Sequence, residues 1–132
     1  MIGAKVKLRG KAGEVERFAL VDTGATFSIM GRELAEDLGV TYVPEERRRV
    51  SLQALCCGVE GELALLEEML IEGVYAGVGP VVIVELSSEV KRALGSAGLA
   101  EDFIIGLSDL MRTGYVVDLR ERRLRYVGHI ML

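Results

Sequence analysis

The sequence predicts an all-β fold, mainly strands with two or three short helices, on three grounds. Apolar and polar residues partly alternate near both ends of the chain. Two interior runs, VVIVEL at 81–86 and FIIG at 103–106, are almost wholly apolar and rich in branched side chains, and glycines recur between these segments. The chain has 132 residues, half of them hydrophobic. That is enough for one sizeable core and too short for two, so a single domain over residues 1–132 is expected.

Taken in order, residues 2–9 and 15–22 read as a β-hairpin around Gly10, Lys11, Ala12 and Gly13. GRELAEDL at 31–38 places Leu34 and Leu38 one helical turn apart, and Gly39 can take the left-handed conformation that ends a short helix. EERRR at 45–49 reads as a solvated charged loop, because two acids precede the three arginines and no aromatic residue is interleaved. Residues 50–55 and 63–71 read as two strands around CCGVEG, whose Gly58 and Gly61 mark a turn. Residues 81–86 predict a strand buried on both faces, and Ser87 or Ser88 an N-cap for a short helix reaching Leu94. Residues 103–106 predict a second buried strand, and SDLMRTG a helical turn ended by Gly114. YVVDL and RLRYVGHIML form a last hairpin around residues 120–123.

Composition narrows the classes of partner. The formal net charge of -4 gives no attraction to phosphate backbones or anionic surfaces, so neither nucleic acid nor membrane is expected. Lys5, Lys7, Arg9 and Lys11 interrupt the N-terminal apolar residues, and the longest uncharged stretch, 73–84, is broken by Gly77, Gly79 and Pro80. A soluble, cytoplasmic protein is the expectation. Cys56 and Cys57 are adjacent, a poor geometry for a disulfide and no spacing for a metal, so they read as small apolar residues. The sequence has no Asn and a single Gln, Gln53, beside abundant Glu and Arg, a balance that suits a thermophile.

The chemistry is concentrated in ALVDTGATFSIM, residues 19–30. It is a strand ending in a carboxylate, then a hydroxyl, then a glycine that permits a tight turn and close backbone approach. Such a turn can hold Asp22 at the floor of a cleft, with the Thr23 hydroxyl and the Gly24 amide available to orient it. Three residues alone would as readily be a carboxylate capping a turn.

In its wider context the sequence resembles the retropepsin-like aspartic proteases, the single-domain relatives of retroviral protease. Leu20-Val21-Asp22-Thr23-Gly24-Ala25 looks like the family's active-site motif, two hydrophobic residues followed by D-T-G-A. Cys57-Gly58-Val59-Glu60-Gly61 sits where the flap hairpin would be, though without the consecutive glycines of the viral flap. Ile104-Ile105-Gly106, followed by a short helix through Leu110 and Met111, looks like the hydrophobic-hydrophobic-glycine segment that threads beside the active-site loop. The helix expected ahead of Ile104 resembles cellular and prokaryotic relatives more than the compact viral enzymes. The resemblance implies a half-barrel that pairs as a homodimer and cleaves polypeptides with no metal or cofactor. It also implies an interface at the terminal strands, residues 1–6 and 126–132, which would make His129 a surface or interface residue.

Aspartic proteolysis needs two carboxylates sharing one proton, one to take a proton from water and the other to give one to the scissile carbonyl. Two full charges about 3 Å apart repel by roughly 5 kcal/mol at an effective dielectric of 20, so such a pair keeps one proton between them. D-T-G occurs once here, and neither Asp109 nor Asp118 is followed by the required turn, so the second carboxylate must come from another copy. The sequence thus reads as a homodimeric aspartic endopeptidase using Asp22 from each chain. The alternatives are a catalytically silent dimer of the same fold used for binding or scaffolding, and an unrelated β-rich domain with an incidental D-T-G.

Overall fold

A computed structural model describes residues 1–52 and 59–128 of the chain. The expected first hairpin is β1 (Gly3–Arg9) and β2 (Glu14–Asp22), antiparallel with Leu20 opposite Gly3 and Glu14 opposite Arg9. Alternation decides its orientation: Ala4, Val6 and Leu8 are fully buried while Lys5, Lys7 and Arg9 face water. β3 (Ser28–Gly31) then leads into α1 (Arg32–Leu38), which buries Leu34, Ala35 and Leu38. Gly39 ends α1 at φ 72°, its N–H returning to the Ala35 carbonyl at 3.0 Å. The tip of the first hairpin is seated on this helix end, where Ala12 N–H donates to the Leu38 carbonyl at 2.8 Å. Gly10 lies so close to that carbonyl that a Cβ would overlap it.

β4 (Thr41–Tyr42) and a 3-10 turn over Glu45–Arg47 precede β5 (Arg49–Leu52). The charged run is not wholly solvated, as the sequence implied. The Arg48 guanidinium lies 5.2 Å from the centroid of the Tyr42 ring, donates to the Val43 carbonyl at 3.0 Å and comes within 3.7 Å of Glu62. β6 (Val59–Leu65) pairs antiparallel with β5, Glu60 facing Ser51 and Gly61 facing Val50. Gly61 is therefore a strand residue and not part of a turn. A Cβ there would collide with Val82 and Val84, so this glycine admits two branched side chains from the neighbouring strand.

The segment 63–71, read from sequence as one strand, is two. β6 ends at Leu65 and pairs with β9 (Pro80–Val84), whereas β7 (Glu68–Ile71) crosses to pair with β1. Between them Leu66 is buried and Glu67 N–H donates to the Arg9 carbonyl at 2.9 Å, which turns the chain. β7 then forms a hairpin with β8 (Val74–Gly77), which was not anticipated. Its two-residue turn has Glu72 at φ 48° and Gly73 at φ 79°, both left-handed, as a tight hairpin requires.

β9 is buried on both faces, from Val81 to Val84. Ser87 caps α2 (Ser88–Ser96), accepting from Val90 N–H at 3.2 Å, and β10 (Phe103–Gly106) follows, buried throughout. α3 (Leu107–Thr113) ends at Gly114 with φ 81°, and β11 (Tyr115–Asp118) pairs with β12 (Arg123–Tyr126) as the closing hairpin. His129 and the rest of residues 129–132 lie outside the described residues. Gly3 to Val6 are paired with β2, and Val6 with β7 as well, so much of the expected N-terminal interface strand is already used within the chain.

Among the described residues the strands of the main sheet run β4-β6-β9-β3-β10-β2-β1-β7-β8, with β5 on the outer side of β6. One register row crosses it: Leu63, Val82, Ile29, Ile104 and Leu20 stand side by side on the same face. These side chains belong to a smaller core that also holds Ala25, Val84, Leu94 and Leu99, which covers this face with α2. The opposite face carries the larger core, including Val6, Met30, Ile83, Phe103 and Ile105. Phe103 is fully buried on the central strand β10. Phe103→Ala is expected to cost about 3–5 kcal/mol of unfolding free energy, read from the shift of the urea midpoint at unchanged slope.

Candidate active site

Asp22 is the last residue of β2 and shares a face with Leu20, two residues earlier. Its side chain is half-buried, open to water on one side. Asp22 Oδ1 accepts the Gly24 N–H at 2.9 Å, and the Asp22 carbonyl accepts the Ala25 N–H at 3.2 Å. Thr23 and Gly24 are exposed in the turn, and Ala25 is buried in the smaller core. The D-T-G segment thus does locally what its residues imply: a carboxylate held by its own turn at the end of a strand.

Ile104-Ile105-Gly106 does come to this loop. β10 runs parallel to β2 with Gly106 opposite Asp22, and antiparallel to β3 with Ile104 opposite Ile29. Ile104 and Ile105 are fully buried on opposite faces, one in each core. A Cβ on Gly106 would overlap the Phe27 carbonyl and the Ser28 nitrogen, backbone atoms that cannot swing aside. Only glycine lets the two segments approach this closely. Just beyond, Leu107 N–H donates to the Ala25 carbonyl at 2.8 Å and Ser108 N–H to the Thr26 carbonyl at 3.0 Å.

The proposed flap residues divide. Cys57 and Gly58 lie outside the described residues. Val59 opens β6 opposite Leu52, Glu60 is exposed, and Gly61 is buried against Val82 and Val84. The root of the β5–β6 hairpin therefore stands on the same apolar cluster that flanks Asp22 through Leu20 and Ala25. Among the described residues no group of His, Cys, Asp or Glu side chains has the arrangement of a metal site.

The bonding of three further side chains at this loop, Ser28, Asp109 and Arg112, escapes sequence reading. Asp109 on α3 is fully buried, and its carboxyl accepts from the Ser28 hydroxyl and from the Arg112 guanidinium. Ser28 Oγ in turn accepts the Gly106 N–H at 2.9 Å. The available signal was a carboxylate and an arginine three apart in the short helix directly after the glycine. Asp118, the other candidate for a second carboxylate, accepts from Arg120 and Glu121 N–H at 3.0 and 3.1 Å and is occupied by the β11–β12 turn.

A strand-end carboxylate in a D-T-G turn is thus met by an apolar-apolar-glycine strand from the far end of the chain. The family model described as aspartyl protease matches residues 4–108, and the chain belongs to that family as a retropepsin-like member. Among solved structures it is similar to the crystal structure of the retroviral protease-like domain of Ddi1 from Leishmania major. The two share 22% identity at a TM-score of 0.60, over 97% of this chain and 89% of that one, a likeness of fold. No curated protein matches the chain.

Two outcomes test this geometry. Gly106→Ala is expected to lower stability by about 1–3 kcal/mol, the cost of forcing a methyl against fixed backbone, measured by urea unfolding. The second concerns pH. Burial holds the Asp109 carboxyl above its ordinary value of 3.8, against the pull of Ser28 and Arg112. The folded chain therefore binds this proton more tightly than the unfolded one. Its contribution to stability is full below 3.8 and is lost as pH rises through the folded value. Unfolding free energies of wild type and Asp109→Asn, measured from pH 3.8 upward, should show the wild-type-minus-variant difference falling as pH rises.

Proposed function

We propose that the chain is an aspartic endopeptidase that works as a homodimer, each copy giving Asp22 to a shared dyad. The observation that carries this reading is the single D-T-G turn with its half-buried carboxylate at the end of β2. Within the described residues Asp109 is sealed on the other face and Asp118 is tied into a turn, so the second carboxylate has to come from a symmetric partner.

Two carboxylates about 3 Å apart across a twofold axis hold one proton between them. The ionised member takes a proton from a water molecule, which attacks the peptide carbonyl carbon. The protonated member gives its proton to the carbonyl oxygen, forming a tetrahedral diol. Transfer of a proton to the amide nitrogen then lets the C–N bond break, leaving a carboxylic acid and an amine. The Gly24 N–H bond to Asp22 Oδ1 keeps the carboxylate from rotating during these transfers. The β5–β6 hairpin, rooted on the apolar cluster, would lie over an extended peptide and bond its backbone.

An unbiased peptide library incubated from acid to neutral pH tests the reading. Asp22→Asn is expected to lower cleavage by about 10³-fold or more while secondary structure and sedimentation stay as in wild type. Cleavage by a species that sediments only as monomer would refute the shared dyad, and equal activity in the variant would remove Asp22 from the reaction. A statine-type transition-state mimic should bind and inhibit.

A further inference from the structure

The loop that carries Asp22 is bounded by Asp22 at one end and Ser28 at the other, and α3 is built against its whole length. Gly106 stands opposite Asp22 and donates its N–H to Ser28 Oγ, so one residue holds both ends of the loop. Leu107 and Ser108 hold the Ala25 and Thr26 carbonyls between them. Ser28 Oγ has accepted the Gly106 proton, so its own proton must find an acceptor, and in this fully buried position the acceptor is Asp109. The other carboxyl oxygen of Asp109 takes the Arg112 guanidinium, whose Nε donates to the Ala76 carbonyl on β8 at 3.0 Å. Gly79, where a Cβ would overlap the guanidinium, leaves room for it. The bonds form one continuous chain that meets at Asp109, which accepts from Ser28 on one side and from Arg112 on the other, and it links four elements from Gly106 to β8.

We propose that Asp109 and Arg112 are positioning residues for the reaction, acting through Ser28 to fix the loop that carries Asp22. The proposal rests on the reading of Asp22 as catalytic. Neither residue touches the cleft: Asp109 lies on the larger-core side of the sheet with Ser28, and Asp22 projects to the other. What they supply is an anchor at a distance. A hydroxyl with an acceptor on one side and a donor on the other cannot rotate, and the backbone of residue 28 is held with it. Without Arg112, Asp109 loses its link to β8, and the chain of bonds ends inside α3.

The test uses the full-length protein with Ser28→Ala, Ser28→Thr and Arg112→Met, and two readouts. Amide hydrogen exchange in residues 22–28 is expected to quicken about tenfold or more in Ser28→Ala and Arg112→Met, with β1 and β7 unchanged. In the same two variants kcat should fall about tenfold or more with KM within about threefold of wild type. Ser28→Thr keeps the hydroxyl and should keep both wild-type values. Unchanged exchange at 22–28, a loss of protection spread over the whole sheet, or a rise in KM at constant kcat would each overturn the proposal. A wild type no more active than Asp22→Asn would sink the protease reading and, with it, the claim on catalysis, while the exchange result would still decide whether the tether holds the loop.

Discussion

The structure depends on the contact between Gly106 and the backbone of Phe27 and Ser28. Two segments nearly eighty residues apart in sequence meet there with no side chain between them, and four positions of the loop are held by the same segment. Asp22 and Ser28 are set by Gly106, Ala25 by Leu107 and Thr26 by Ser108. A buried backbone needs such partners, because an amide or carbonyl left unpaired away from water costs about 1–3 kcal/mol. The loop is irregular in shape, yet the Ala25 and Thr26 carbonyls and the Gly24 and Ala25 amides all have partners.

The sheet around this contact has different duties on its two faces. The larger core packs α1 against the sheet, and α3 carries the buried polar chain to Ser28. The smaller core, with Leu94 from α2 and Leu99, takes in Leu20 and Ala25 on either side of Asp22 in sequence. Because strand residues alternate, the sequence of β2 assigns these duties directly: Ala19 and Val21 go to one face, Leu20 and Asp22 to the other. Apart from Arg112 on the buried Asp109, charged pairs such as Arg17 on Asp102 at 3.1 Å and Arg32 on Glu62 at 2.9 Å are partly exposed and worth about 1 kcal/mol or less each.

Features whose cause is local were legible in the sequence. The first and last hairpins, the helix ends at Gly39 and Gly114, the Ser87 cap and the buried strands at 80–84 and 103–106 all follow from turn chemistry and branched apolar runs. So did the D-T-G turn and its apolar-apolar-glycine partner. The break after Leu65 was not legible, because what ends β6 is a bond from Glu67 to Arg9, far away in sequence. Gly61 looked like a turn residue until Val82 and Val84 were seen to fill its side-chain space. Ser28, Asp109 and Arg112 were missed for the same reason: Ser28 and Asp109 are 81 positions apart, and neither has a local pattern that announces the other.

The seating of Asp22 has a further geometric consequence in the proposed twofold pair. Symmetry would reproduce in the second copy any offset built into the first, so a carboxylate seated away from the axis would count twice in the gap between the two oxygens. A tolerance adequate for a site built from one chain would be twice too loose in such a pair, a demand that the dense anchoring of so short a loop would meet.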